Sequence, residues 1–358
     1  MSSSANKIGS DFLYAQLHAW WSNSAQGEAL EALCRSVTVD NFLHELQNRH
    51  VLTIRDAEHV NFAILMRQYE RLSTLAREVG GATGDFLLAH RGALTIDNFK
   101  ALLNYRFFPE RVGRVRDVLV PYTDRSADPN LLEDVMAAAD TEQFIRLLPK
   151  SLTSLQGLCP IIRQLDRDRN LVAAMSAIDG IINQRLLETM DGLRGAARET
   201  ARELHALNVD CLNATTLLRN QSFYHLGAGE LRSFWLEGGS HLRRHQWERL
   251  ADAPGGDTAA LLSQLPYSLQ RAAQPQETAQ QPPSSVSTTA ESVSSIENRL
   301  RRHVAARARS HFYNAGEPDE ALPAYLWLLE FETTNLRRIH EALRFSMPIQ
   351  EIKAMLIA

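Results

Sequence analysis

One short pattern occurs three times in the chain and constrains its fold more than any other feature. It consists of a small polar or acidic residue, an asparagine three positions later, and leucine or isoleucine one turn beyond. The copies read Thr95-Ile-Asp-Asn98-Phe-Lys-Ala-Leu102-Leu103, Asp210-Cys-Leu-Asn213-Ala-Thr-Thr-Leu217-Leu218 and Glu332-Thr-Thr-Asn335-Leu-Arg-Arg-Ile339. The asparagines stand 115 and 122 residues apart in a chain of 358, one third of which is about 119. A second element keeps phase with the first. Phe144-Ile145-Arg-Leu-Leu148-Pro149 begins 46 residues after Asn98, and Leu261-Leu262-Ser-Gln-Leu265-Pro266 begins 48 after Asn213. Only 23 residues follow Asn335, but Phe42-Leu43-His-Glu-Leu46 near the N-terminus matches the missing element. The chain therefore reads as three similar blocks in a pseudo-threefold arrangement, with the N-terminal segment completing the third to close a ring or funnel. An open solenoid would instead need a polar cap at each end. The expected divisions are residues 1–150, 151–271 and 296–358, with 1–50 completing the last block.

The blocks are helical. Val60, Ile64, Leu65, Leu72, Leu75 and Val79 fall three, four or seven apart, predicting a helix over about 57–79. Gly80, Gly81 and Gly84 are expected to break it before a second helix over about 85–105. Further helices are expected over 171–193, 196–219 and 325–345, with Pro348 opening a short terminal one. Ser294-Ser295-Ile296-Glu297 reads as a capping box opening a helix to Arg309. No stretch alternates with β-branched enrichment, so the fold class is all-α. Residues 272–295, rich in Gln, Ser and Pro, bury too little to offset their ordering entropy and read as a flexible linker.

Within each repeated turn the polar residue and the asparagine lie one turn apart on one face, beside an apolar stripe. Asn98, Asp210, Asn213, Glu332, Asn335 and the neighbouring Arg337 are therefore the candidate residues. They are expected to bond to each other or to an adjacent helix, or to converge on an opening and meet a partner.

Composition removes other classes of function. Lys and Arg number 38 against 42 Asp and Glu, for a net charge of −4, without the basic excess that nucleic-acid binding needs. No apolar run approaches the roughly 20 residues needed to cross a bilayer, so no direct membrane insertion is expected. The polar N-terminus lacks the apolar core of a signal peptide. Cys34, Cys159 and Cys211 are widely spaced and read as small hydrophobes in a reducing compartment. His241 and His245, at i and i+4, have a zinc-compatible spacing, but two arginines lie between them and the metalloprotease glutamate is absent. No catalytic residue, cofactor or metal is expected. The glycines near 80–84, 227–229 and 238–239 lack a phosphate-loop context and read as helix terminators.

Several segments resemble the C/d stalk-subunit family of V-type and A-type ATPases, in its bacterial or archaeal form. They are Ala324-Tyr325-Leu326, then Glu332-x-x-Asn335-Leu336-Arg337-x-Ile339, then Met347-Pro348-x-x-Glu351-Ile352, with Gly316-x-Pro318 upstream. Phe234-Trp235-Leu236-Glu237-Gly238-Gly239 is similar to the family's second-block connection. Thr95 stands where an acid is usual, His50 stands near an expected tyrosine, and residues 272–295 look like an insertion. The resemblance implies a non-catalytic helical funnel in the central stalk of a proton- or sodium-transporting rotary ATPase. Its partners would be the central shaft subunits and the membrane rotor ring, and it would lie peripherally on the cytoplasmic face. A helical-repeat scaffold unrelated to any ATPase is the competing reading.

Overall fold

A computed structural model describes residues 10–52, 60–109, 134–135, 137–148, 150–153, 155–252, 258–274 and 293–357. The described residues are mostly helical and contain no strand, so the fold class is all-α. They form two compact units, one of residues 65–193 and one joining the residues before 65 to those from 194 onward.

The first unit contains most of α4 (Val60–Val79) and all of α5 (Gly81–Phe107), α6 (Thr141–Leu147), α7 (Lys150–Thr153), α8 (Leu158–Asp168) and α9 (Leu171–Asp191). Its core gathers Phe99, Leu103, Phe107, Phe144, Ile145, Leu148, Ile162 and Ile178. Asp140 caps α6 by accepting from the Gln143 amide at 2.7 Å, while the Gln143 side chain accepts from the Ala139 amide at 2.8 Å. The expected break at Gly84 is absent, and α5 begins at Gly81, after Gly80 (φ 64°) turns the chain. Gly84 instead permits a close crossing: a Cβ there would lie 2.9 Å from the Ala76 carbonyl oxygen.

The second unit opens with α1 (Ser10–Ser22), α2 (Glu28–Cys34) and α3 (Val39–Asn48). After residue 194 come α10 (Gly195–Arg219), α11 (Ala228–Leu231), α12 (Arg244–Asp252), α13 (Thr258–Gln264), α14 (Tyr267–Ala273), α15 (Val293–Asn314), α16 (Pro318–Arg344) and α17 (Ile349–Met355). Helices α10, α15 and α16 pack on one another as a three-helix bundle. The tip of α1 docks on it through Trp21, whose indole donates to the Tyr313 hydroxyl at 2.8 Å. Leu30, Leu33, Phe42, Leu46, Val60 and Ile64 share one core with Leu336, Ile339, Ile352 and Leu356. Residues from the start of the chain thus pack directly against its last two helices.

Three expectations about this unit need correction. Helix α16 starts seven residues before Tyr325, with Pro318 in its first turn and Pro323 in its second. It is buried on most sides, including Leu322, Leu326, Leu329 and Phe331, as a central helix must be. Ser294 lies inside α15, which begins at Val293 and continues to Asn314. Glu297, expected to close a capping box, pairs with Arg219 at 2.6 Å. Ala272 and Ala273 end α14, and residues 293–295 open α15, where Val293 and Ile296 are buried. Residues 275–292 lie outside the described ones.

Candidate functional site

The repeated pattern resolves into two clamps, one on α10 and one on α16. Asn213 is fully buried; its side-chain amide donates to the Leu236 carbonyl at 2.9 Å, and its oxygen accepts from the Leu236 amide at 3.0 Å. Asn335 treats Ile357 the same way, at 2.9 and 2.7 Å. A carboxamide presents a donor and an acceptor side by side, which matches the backbone N–H and C=O of one extended residue. Each clamp therefore holds a residue 22 or 23 positions downstream of its asparagine.

The acidic residue one turn earlier grips a second backbone segment. Asp210, with no exposed surface, accepts from the amides of Ser240 at 3.0 Å, His241 at 2.8 Å and Leu242 at 3.0 Å. The imidazole Nδ1 of His241 lies 3.0 Å from it. Three donors stabilise a buried carboxylate that would otherwise be costly. Glu332 accepts from the Ala25 amide at 2.7 Å, across 307 positions of sequence. One continuous loop supplies both grips on α10, whereas on α16 they come from residue 357 and residue 25. The correspondence continues beyond the grips. Trp247 and Leu250 follow Leu242 by five and eight residues, Leu30 and Leu33 follow Ala25 by the same intervals, and all four are buried.

Local sequence explains how the α10 loop closes. Gly238 has φ 103°, and a Cβ on Gly239 would stand 2.3 Å from Asp210 Oδ1. These glycines, read from sequence as helix terminators, instead let the loop wrap a carboxylate. Trp247 seals it, its indole N–H donating to the Asn213 carbonyl at 3.0 Å. The sequence marked Asp210, Asn213 and the segment Phe234–Gly239 without showing that they meet, and it left Leu242 and Trp247 unmarked. The acid and asparagine, expected to bond each other or a neighbouring helix, hold loop backbone instead.

The remaining candidates sit apart from these clamps. Asn98 is buried in the first unit, and Thr95, in the acid's place, donates to its own helix at Gly92 O over 2.7 Å. The segment at the matching distance downstream, near residue 121, lies outside the described residues. Arg337 is exposed on α16. His241 precedes α12 in a loop, so His241 and His245 do not share a helical face. Among the described residues no group of three His, Cys, Asp or Glu is placed to hold a metal ion.

Burial sets the protonation behaviour around the clamps. It lowers the His205 imidazole to about 4, and burial, then the Asp210 charge, raises the Cys211 thiol to about 12. A polar cavity of about 380 Å³ between α10 and α15 is lined by Glu199, Glu203, Arg307 and His311 among others. Burial pushes the Glu203 carboxyl up, but Arg307 and His311 outweigh it and hold the group below its ordinary range. The charged groups of this cavity bridge two helices, as those of the clamps fix backbone.

No curated protein matches the chain. The family model described as ATP synthase (C/AC39) subunit matches residues 22–355, a span that includes the α10 clamp and all of the α16 clamp except Ile357. The family is a structural component of rotary ATPases, not the catalytic one, and no helix among the described residues is long and apolar enough to cross a membrane. The chain belongs to the ATP synthase (C/AC39) subunit family, the C/d subunit family of V-type and A-type rotary ATPases.

Proposed function

We propose that the chain is the socket of the central stalk, seated on the cytoplasmic face of the membrane rotor ring and receiving the shaft above it. It would transmit torque between nucleotide-driven rotation and proton or sodium translocation, without catalysing either. The observation that carries this reading is the family match over residues 22–355.

The clamps suit such a part. A coupling that slips dissipates work, so loops that touch partners must be fixed to the helices that carry load. Asn213 and Asp210 tie residues 236–242 to α10, and Asn335 and Glu332 tie residues 357 and 25 to α16. Stable assemblies of this kind bury roughly 2,000 Å² or more, spread over broad contacts rather than one pocket. In this reading the three blocks, the third completed by the N-terminal segment, surround the shaft.

Gentle detergent extraction of native membranes, with an affinity tag on this chain, tests the reading. Ring and shaft subunits should co-purify in fixed ratio. Recovery of the chain alone, with an intact ring found elsewhere in the extract, would refute it.

A further inference from the structure

Helices α10 and α15 run antiparallel, because Thr200 faces His311, Cys211 faces Leu300 and Arg219 faces Glu297. Helix α16 follows α15 after a short turn and runs back along it, with Arg338 donating to Asn298 at 2.8 Å. The C-terminal ends of α10 and α16 therefore emerge at the same end of this bundle. Each end presents a phenylalanine ten residues after its clamp asparagine, Phe223 and Phe345, exposed by 63% and 76%. Tyr224 beside the first is 56% exposed. A non-glycine residue in the left-handed region follows in both cases, His225 and Ser346, each at φ 51°. Asn220 holds the first turn, accepting from the Leu226 amide at 2.8 Å and donating to its carbonyl at 3.2 Å. Phe108 stands at the same offset from Asn98 but packs partly against the core of the first unit.

The same end carries a local excess of positive charge. Residues 219–225, 297–302 and 337–353 contain eight Arg and Lys against three Glu, in a chain whose net charge is −4. The adjacent α2 and α3 reduce this excess without cancelling it, since Glu28, Glu31, Asp40 and Glu45 stand against Arg35 and Arg49. Several guanidinium groups are already engaged. Arg302 donates to the Leu356 and Ala354 carbonyls, Arg338 to Asn298 and Met355, and Arg219 and Arg344 meet carboxylates. Arg219, Arg337 and Arg344 are the exposed members, the first and last of them paired with Glu297 and Glu341. What projects outward is therefore a modest positive field around apolar rings rather than an array of forks ready for individual carboxylates. Such a field suits a sheet of negative charge, and exposed rings among Arg and Lys suit the boundary between headgroups and acyl chains.

We propose that this end of the bundle rests on anionic phospholipid headgroups, with Phe223, Tyr224 and Phe345 entering the interfacial layer. The inference deepens the socket reading, since it says what the membrane-facing end touches besides protein. The test is flotation of the purified full chain with phosphatidylcholine vesicles, with and without phosphatidylglycerol, at low and high salt. Binding should require phosphatidylglycerol and weaken with salt. The Phe223→Ser/Phe345→Ser double variant should bind about tenfold less or weaker still, and Arg337→Gln about fivefold less. Both changes are on exposed side chains, so circular dichroism should be unaltered. Absence of binding to anionic vesicles, or equal binding by all variants, would overturn the proposal. So would polyglutamate competing for the chain while the variants lose the peptide and keep the vesicles, because the surface would then be a protein-docking one. Failed flotation with intact co-purification of the ring removes this inference alone; the reverse result removes the socket reading alone.

Discussion

Replacing Asn213 or Asn335 by alanine removes the same two hydrogen bonds from two different surroundings. Leu236, the partner of Asn213, is partly exposed, so water can reach the freed N–H and C=O. Ile357, the partner of Asn335, is 2% exposed, and Leu356 beside it is 4% exposed. A hydrogen bond that water can replace is worth about 1 kcal/mol net, whereas a buried group left unpaired costs about 1–3 kcal/mol. Asn213→Ala should then cost about 2 kcal/mol, and Asn335→Ala about 4 kcal/mol, since water reaches Ile357 only if its side chain is also uncovered. Native-state hydrogen exchange read by mass spectrometry reports each amide separately. The Leu236 amide should exchange about thirtyfold faster in Asn213→Ala, and the Ile357 amide about a thousandfold faster in Asn335→Ala. Equal effects at the two sites, or unchanged exchange at Leu236, would refute the argument that clamp strength is set by how dry the partner is.

Two further outcomes follow from the geometry. Gly239→Ala drives a methyl into Asp210 Oδ1 and must open the 236–242 loop; a loss of about 3 kcal/mol or more is expected, and a melting temperature equal to wild type would count against the close packing drawn here. His205 is held neutral by burial down to about pH 4, below its ordinary 6.5. A depressed histidine takes up its proton more readily when unfolded, so its contribution is complete above pH 6.5 and is lost as pH falls toward 4. The loss is about 3 kcal/mol over that window, and His205→Gln should flatten the acid limb of the stability curve by that amount. An acid limb as steep as wild type in the variant would exclude the assignment.

The helices and their polar turns were legible in the sequence because both depend on residues three and four apart. Asn98, Asn213 and Asn335 stood out through equal spacing, and Asp210 and Glu332 through their place one turn earlier. What the polar turns hold was not legible. Their partners are backbone groups of Leu236, Ile357 and Ala25, and a backbone amide is the same in every residue, so it leaves no compositional mark. Helix ends failed for a related reason. Gly84 and Pro323 carry local signals for interruption, but packing at Ala76 and the burial of α16 override them. The histidine pair failed because the i, i+4 argument presumes a helix, and α12 starts only at Arg244.

The bond between Ala25 and Glu332 also sets an order of events at the ribosome. Leu30, Leu33, Phe42 and Leu46 leave the exit tunnel early, yet the surface that covers them, Leu336, Ile339, Ile352 and Leu356, is translated about 300 residues later. At about 5–20 residues per second, the 307 positions between the two halves of the grip correspond to roughly 15–60 seconds of synthesis. During that interval the nascent chain carries an uncovered apolar segment, while the α10 clamp, whose loop follows within about thirty residues, can close as it emerges. The two clamps perform the same task in the finished protein, but the one on α16 makes nascent chains dependent on whatever shields Leu30, Leu33, Phe42 and Leu46 until α16 and α17 emerge.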